Sequence, residues 1–84
     1  MFSPRHAPVE IILIRPQRVE EMERAVHLLQ AHATIVVDLA DLDAVSAQRF
    51  IDFLSGAVWS LDGSIERVSG HVVLAAPMSV LLSR

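Results

Sequence analysis

The sequence predicts an α/β two-layer sandwich with the element order β-α-β-α-β-β. Two short apolar runs have the composition of strands, and each is followed by a segment with apolar residues at helical spacing. Two further extended runs, separated by a Ser-Gly turn, follow towards the C-terminal end. Because β-α-β crossovers are right-handed, we expect strands one and two to be parallel. The last two strands complete a mixed four-stranded sheet as a hairpin, with two helices on one face.

The first strand covers residues 9–14, VEIILI, and ends before Pro16. Its nearly continuous apolar character is typical of a strand that is buried on both faces. Two helices cannot easily cover both faces of a four-stranded sheet, however. If both helices share one face, the other face is left partly apolar, and such surfaces usually mark interaction sites. A homodimer is the simplest way to cover it.

The next two elements are an amphipathic helix and a β-branched strand. Residues 18–33 carry one apolar helical stripe, and charged residues lie opposite it. The stripe consists of Val19, Met22, Ala25, Val26, Leu29 and Ala33. Residues 34–39, TIVVDL, then favour the second strand.

The second helix is predicted from the Asp residues at 41–43, which supply an N-cap, to about Ser60. Its sheet-facing stripe consists of Phe50, Ile51, Phe53, Leu54, Ala57, Val58 and Leu61. Asp62 and Gly63 then break the helix, and residues 64–68 resume an extended pattern. A turn at 69–70 leads into the last strand, which ends at Pro77.

Gly56 and Trp59 lie outside that stripe, on the opposite side of the second helix with Arg49 and Asp52. A glycine inside a helix costs about 1 kcal/mol relative to alanine. An outward tryptophan leaves a large apolar surface in water. Close approach of a second helix explains both residues. Fraying at Gly56 or a loop folded over Trp59 are the alternatives.

Composition limits the classes of function. The 84 residues form one domain, with residues 1–8 predicted as a disordered N-terminal leader and residues 9–84 as the core domain. All seven basic residues are arginines, they are scattered, and the net charge is −3, which argues against nucleic acid as a partner. The longest uncharged run, residues 68–83, is too short to span a membrane. The absence of cysteine fits a cytoplasmic protein.

Candidate catalytic and metal-binding residues are few. Asp38, Asp41 and Asp43 follow the second strand, where Mg²⁺ ligands often lie, but capping and turn formation account for them equally well and are favoured. The four histidines, His6, His27, His32 and His71, do not have the spacing of zinc ligands, and solvated or structural roles are favoured for them. Arg67 either pairs with a carboxylate beneath a helix or lines a groove. We therefore expect no catalytic residue, no cofactor and no metal site.

Residues 49–77, RFIDFLSGAVWSLDGSIERVSGHVVLAAP, resemble the C-terminal domain of the SepF family of bacterial cell-division proteins. The residues at the matching positions are Arg49, Asp52, Phe53, Leu54, Ser55, Gly56, Trp59, Gly63, Ile65, Arg67, Val68 and Pro77. The preceding strand, helix and strand are also similar to that family, so the resemblance covers almost the whole chain.

The resemblance implies a nonenzymatic adaptor that works in the cytoplasm, at the division site on the inner face of the plasma membrane. It implies binding of the C-terminal tail of FtsZ near the start of helix two and the final strand, at Ala47 and Val73, with Phe50 and Leu74 as neighbours. It implies a homodimer that can assemble further into a polymer, and it places self-association on the helix face with Arg49, Asp52, Gly56 and Trp59, while the face that forms the dimer stays open. Family members attach to the membrane through an N-terminal amphipathic helix, so membrane contact is expected only through a segment absent from this chain.

A second resemblance remains open. Residues 34–54, TIVVDLADLDAVSAQRFIDFL, are similar to the strand-turn-helix of anti-sigma-factor antagonists, regulatory domains switched by serine phosphorylation. Ser46 lies near the position of the phosphorylated serine, but the D-S-S-G motif of that family is missing. A small enzyme that uses the three aspartates is a third hypothesis.

Overall fold

A computed structural model describes residues 9–83. The predicted leader at 1–8 lies outside the described residues, as does position 84. The elements are β1 (Ile11–Ile14), α1 (Met22–Gln30) after a 3-10 turn (Val19–Glu21), β2 (Thr34–Asp38), α2 (Ala44–Ser60), β3 (Ser64–Arg67) and β4 (Val72–Ala76). The predicted order is confirmed.

The four strands form one mixed sheet in the order β1-β2-β4-β3. β1 and β2 are parallel, as the right-handed crossover predicts. β4 is antiparallel to both of its neighbours, with Val73 opposite Val37 of β2 and Ala75 opposite Ile65 of β3. The hairpin therefore joins the sheet through its second strand, and the turn before β4 lies beside the carboxyl end of β2.

Both helices pack on one face of this sheet. Phe50, Leu54 and Val58 recur every four residues along α2, so they point in one direction and are almost fully buried. The core contains Ile14, Ala25, Leu29, Ile35, Val37, Leu39, Phe50, Leu54, Val58, Val73 and Ala75. The predicted two-layer arrangement is confirmed.

Within residues 9–83, no helix lies on the second face of the sheet. Ile11 is 61% exposed and Leu13 is 76% exposed, whereas Ile14 is buried against the helices. The prediction that the first strand is buried on both faces is therefore wrong, because β1 is an edge strand of a sheet with a single helical layer. We call the apolar surface formed by the exposed Ile11 and Leu13 and the half-buried Val36, Val72 and Leu74 the open face. Its central row runs from Leu13 to Val36 to Leu74 through the strand register.

Both helices end in the same hydrogen-bonded turn. After α1, His32 N donates to Leu29 O and Ala33 N donates to Leu28 O, and His32 has a left-handed φ of 69°. This turn ends α1 at Gln30, three residues before the predicted end. After α2, Gly63 N donates to Val58 O at 2.9 Å, and Asp62 has φ 55°. The predicted Asp-Gly break is confirmed, with Asp62 in the left-handed position.

The start of α2 is fixed by Asp43. Its carboxylate accepts a hydrogen bond from Ser46 N at 2.7 Å, as expected of an N-cap. The hydrogen bonds from Ser46 favour the charged carboxylate and lower the pKa of Asp43. Asp38 accepts from Ala40 N at 3.0 Å in the preceding turn. These contacts confirm the capping and turn roles predicted for Asp43 and Asp38.

Substitution of Gly63 tests the contact between the end of α2 and β4. A Cβ at Gly63 would overlap the carbonyl oxygen of Ala76, whereas a Cβ at Gly70 meets no atom within 4 Å. We expect Gly63→Ala to lower the free energy of unfolding by about 1–3 kcal/mol, because backbone must move to admit the methyl group. Gly70→Ala, the matched control, should change it by less than about 0.5 kcal/mol. Urea denaturation measures both, and equal effects would contradict the close approach at Gly63.

Replacing Asp43 by Asn tests the charged cap. Because the pKa of Asp43 is lowered from 3.8 in the folded chain, its ionised form stabilises the fold above that pH, and this stabilisation is lost as the pH falls through the lowered value. Asn keeps an acceptor oxygen without the charge. We expect Asp43→Asn to lower the melting temperature near neutral pH, and the difference to shrink under acidic conditions. Thermal melts as a function of pH measure this, and a difference that does not depend on pH would speak against the assignment.

Candidate functional site

A groove of about 320 Å³ lies between the first turns of α2 and the β3–β4 hairpin. We call it the α2 groove. Its lining residues are Leu39, Leu42, Ala44, Ala47, Gln48, Ile51, Arg67, Gly70 and His71. Its volume falls in the range of small-ligand and peptide-side-chain pockets.

The groove exists because α2 and the hairpin are brought together at the carboxyl end of β2. Ala47 and Ile51 lie one turn apart on α2 and form an apolar wall. Leu39, which is almost fully buried, ties the loop after β2 to the hairpin, since its N–H donates to His71 O at 2.7 Å.

The opposite wall is polar. Arg67 is paired in register with the buried Val73, so its side chain leaves β3 on the helical side of the sheet. Its guanidinium Nη1 donates to Gly70 O at 3.1 Å, which holds the exposed cation at the rim. Of the two sequence alternatives for Arg67, the structure therefore supports the one in which it lines a groove. An apolar wall beside a fixed guanidinium suits a peptide that combines aliphatic side chains with a carboxylate.

The four residues predicted to bind a partner are divided between three environments. Ala47 lines the groove. Phe50 and Val73 are almost fully buried in the core on the same side of the sheet. Leu74 follows Val73 in β4 and lies on the open face, away from the groove. The structure thus brings Ala47, Phe50 and Val73 to one side and separates Leu74 from them.

Sequence reasoning misses Leu42, Ile51 and His71 as groove residues. The helical pattern places Ile51 in the sheet-facing stripe, and the histidine spacing favours a solvated or structural role for His71. In the sequence, Leu42 follows the second strand and His71 precedes the last one. This placement predicts that the two residues lie near each other only when β4 is known to pair with β2.

The outer face of α2 is the sector with Arg49, Asp52, Phe53, Gly56 and Trp59, which spans about 120° at 100° per residue. Trp59 is 85% exposed, so no loop covers it, and Gly56 lies within α2, where an added Cβ would meet no neighbouring atom within 4 Å. Phe53 is 44% exposed, so its prediction as a sheet-facing residue is wrong. Its angular position is closer to Arg49 than to the buried row, which adds a second aromatic ring to this face.

The open face carries a pocket of about 330 Å³, lined by Leu13, Ile14, Arg15, Val36, Asp38 and Val72. At its end, the Arg15 guanidinium lies 3.1 Å from Asp41 and 3.7 Å from Asp38. Asp41 also accepts a hydrogen bond from Gln17 Nε2 at 2.6 Å. Two of the three aspartates considered as metal ligands are therefore engaged in this ion-pair cluster.

Residues 9–83 hold neither a cluster of metal-binding side chains nor a membrane-spanning helix. Within this range, no group of at least three histidine, aspartate or glutamate side chains is arranged so that it could hold a metal ion. Along the same part of the chain, neither helix has the length and apolar character needed to cross a bilayer.

The sequence is similar to known cell-division proteins. The family model described as "Cell division protein SepF" matches residues 11–82. The SepF of Thermoanaerobacter sp. strain X514 is 36% identical over 69 residues, which cover 82% of this chain and 50% of that protein. The SepF of Gloeobacter violaceus is 34% identical over 80 residues, covering 95% of this chain and 42% of the relative. The chain thus spans half or less of the length of these curated relatives.

Solved structures share the fold. A SepF-like protein from Archaeoglobus fulgidus superposes with a TM-score of 0.83 at 18% identity, covering 90% of this chain and 94% of the other. The SepF of Methanobrevibacter smithii, solved in complex with FtsZ-CTD, gives a TM-score of 0.74 at 23% identity, with 89% and 98% coverage. The sheet order, the two helices on one face and the sequence match over nearly the whole described region agree with one another, and the chain belongs to the SepF family of cell division proteins.

Proposed function

We propose that this chain is a nonenzymatic adaptor that binds the C-terminal tail of FtsZ in the α2 groove. It self-associates, and so helps to link division filaments to the inner face of the plasma membrane at the division site. The observation that carries the proposal is the α2 groove, with its apolar wall and its fixed arginine. A protein of the same fold has been solved with FtsZ-CTD, which supports the choice of partner.

The groove suits a short extended peptide. Aliphatic side chains of the peptide pack against Ala47 and Ile51, where the wall is free of charge. A carboxylate of the same peptide meets the guanidinium of Arg67 at the rim. Phe50 and Val73 act from beneath, because they fix the positions of α2 and β4 that form the two walls. A role for Leu74 in binding the tail stays a prediction, and its position on the open face favours a role in self-association.

Self-association uses two further surfaces. The open face is apolar along its central row and is proposed to form a homodimer, in which the same patch of two copies meets. The outer face of α2, with the exposed Trp59 and the bare backbone at Gly56, is proposed to join dimers into a higher polymer. A filament that meets several grooves in one assembly gains as much as ~10²–10⁴ in apparent affinity, because later contacts are intramolecular.

A peptide titration tests the binding site. We expect a synthetic peptide with the C-terminal residues of FtsZ from the same organism to bind the chain, and Ala47→Glu to raise the dissociation constant about tenfold or more, which corresponds to about 1.4 kcal/mol. The new carboxylate would stand against the apolar wall and repel an acidic peptide. Ala31→Glu makes the same change on an exposed residue outside the groove and should have no effect. Isothermal titration calorimetry measures both, and equal affinities would refute the α2 groove as the site.

Gly56→Lys tests the polymer surface. A lysine side chain there blocks close approach of a second helix, while the surroundings within one copy have room for it. We expect light scattering to show loss of higher assembly, with the circular dichroism of the fold retained. Gly70→Lys is the matched control, since it also places a lysine on an exposed glycine with no atom within 4 Å. Assembly that persists in Gly56→Lys would remove the outer face of α2 from the proposal.

A further inference from the structure

The chain turns after β4 and runs back beside the open face. Residues 80–83, which we call the strap, follow a turn in which Val80 N donates to Pro77 O at 3.0 Å. Leu82 and Ser83 line a cavity of about 470 Å³ together with Glu66, Val68 and Leu74. Because Glu66 and Leu74 are cross-strand partners and Leu74 belongs to the open face, the strap lies over the β3–β4 half of that face.

The strap is held loosely. Within the described residues, no hydrogen bond joins positions 81–83 to a strand of the sheet. Leu82 is half-buried, while the neighbouring Leu81 is 89% exposed, so one leucine of the pair faces the sheet and the other faces solvent. The cavity that remains between strap and sheet leaves the side chains around it without close-packed neighbours.

The strap divides the open face into two halves. The other half, with Leu13 of β1, Val36 of β2 and the adjoining Val72 of β4, borders a pocket that no strap residue lines. The β3–β4 half, with Leu74, is the part that the strap overlies. A second copy that docks along the whole row from Leu13 through Val36 to Leu74 must compete with Leu82 for Leu74.

We propose that the strap is an autoinhibitory element of self-association: its closed position restricts a second copy of this chain to half of the open face, and its release exposes the full row. This inference rests on the proposed homodimer through the open face. When a competent open state is populated only in part, the apparent dissociation constant is divided by the open fraction once for each copy that has to open, which raises it. A strap that is closed for most of the time therefore weakens the dimer measurably.

Two matched variants test the strap. Leu82→Asp replaces a half-buried apolar side chain at the cavity by a carboxylate that loses hydration when the strap closes, so it releases the strap. Leu81→Asp makes the same change one position earlier, on a side chain that already faces solvent. We expect sedimentation equilibrium to show a dimer dissociation constant about a hundredfold lower for Leu82→Asp than for the natural chain, because two copies that are each closed about nine-tenths of the time both have to open. Leu81→Asp should match the natural chain.

A third variant separates the strap from the surface on which it acts. Leu13→Asp lies on the half of the open face whose pocket no strap residue lines, and should weaken the dimer whether the strap is open or closed. If it does so while Leu82→Asp leaves the dissociation constant unchanged or raises it, the strap proposal is overturned and the open-face dimer stands. If Leu13→Asp leaves the dimer intact, the open-face dimer is overturned, and the strap proposal with it.

Discussion

The structure depends on the fact that two helices can cover only one of the two faces of a four-stranded sheet. α1 and α2 have enough apolar surface to cover one face, and the buried row of Phe50, Leu54 and Val58 commits α2 to that face. Among the residues that the structure describes, no further helix is available for the second face, although β1 is apolar on both sides. The open face follows from this, because every second residue of the same strands must point away from the helices. In a chain of 84 residues the core is small, and the proposed contacts between copies would add stability to it.

The three proposed surfaces point in different directions. The α2 groove opens at the end of the sheet where Arg67 and His71 lie, the outer face of α2 points away from the helical layer, and the open face is on the far side of the sheet. Occupation of one surface therefore leaves the others accessible. This geometry is compatible with the proposed function, in which a single small domain binds a tail and contacts copies of itself at the same time.

Local patterns predict much of the fold. The spacing of apolar residues, which alternates between that of strands and that of helices, predicts all six elements and the parallel first pair of strands. The turn and capping residues predict the hairpin and the Asp43 cap. Each of these features depends on nearby residues. The errors arise where tertiary context decides. Apolar residues on both sides of β1 indicate burial, but burial requires a second layer, which residues 9–83 do not supply. The hydrophobicity of Phe53 favours the sheet, although its angle along α2 places it outside. The early end of α1 depends on a left-handed His32, which composition does not signal.

The candidate site is harder to predict from the sequence than the fold is. Gly56 and Trp59 can be placed on an outer face from helical geometry alone, and the structure places them there. The α2 groove cannot be derived in the same way, since its walls come from α2 and from a hairpin whose position depends on the pairing of β4 with β2. The family resemblance indicates the region of the groove, because it points to Ala47 and Val73. It does not distinguish residues that line the groove from residues that support its walls. The resemblance to anti-sigma-factor antagonists rests on a single strand and helix, and the family match over residues 11–82 favours SepF instead.

Trp59 has a practical consequence. It is the one tryptophan of the sequence, and it stands almost fully in solvent at the outer face of α2. Indole emission shifts to shorter wavelength when the ring leaves water, so the chain carries an intrinsic optical reporter of helix contacts between copies. Contacts through the open face or the α2 groove leave the indole of Trp59 exposed to water and its emission wavelength unchanged. A shift of that wavelength therefore distinguishes polymer growth from dimerisation and from peptide binding without an added label.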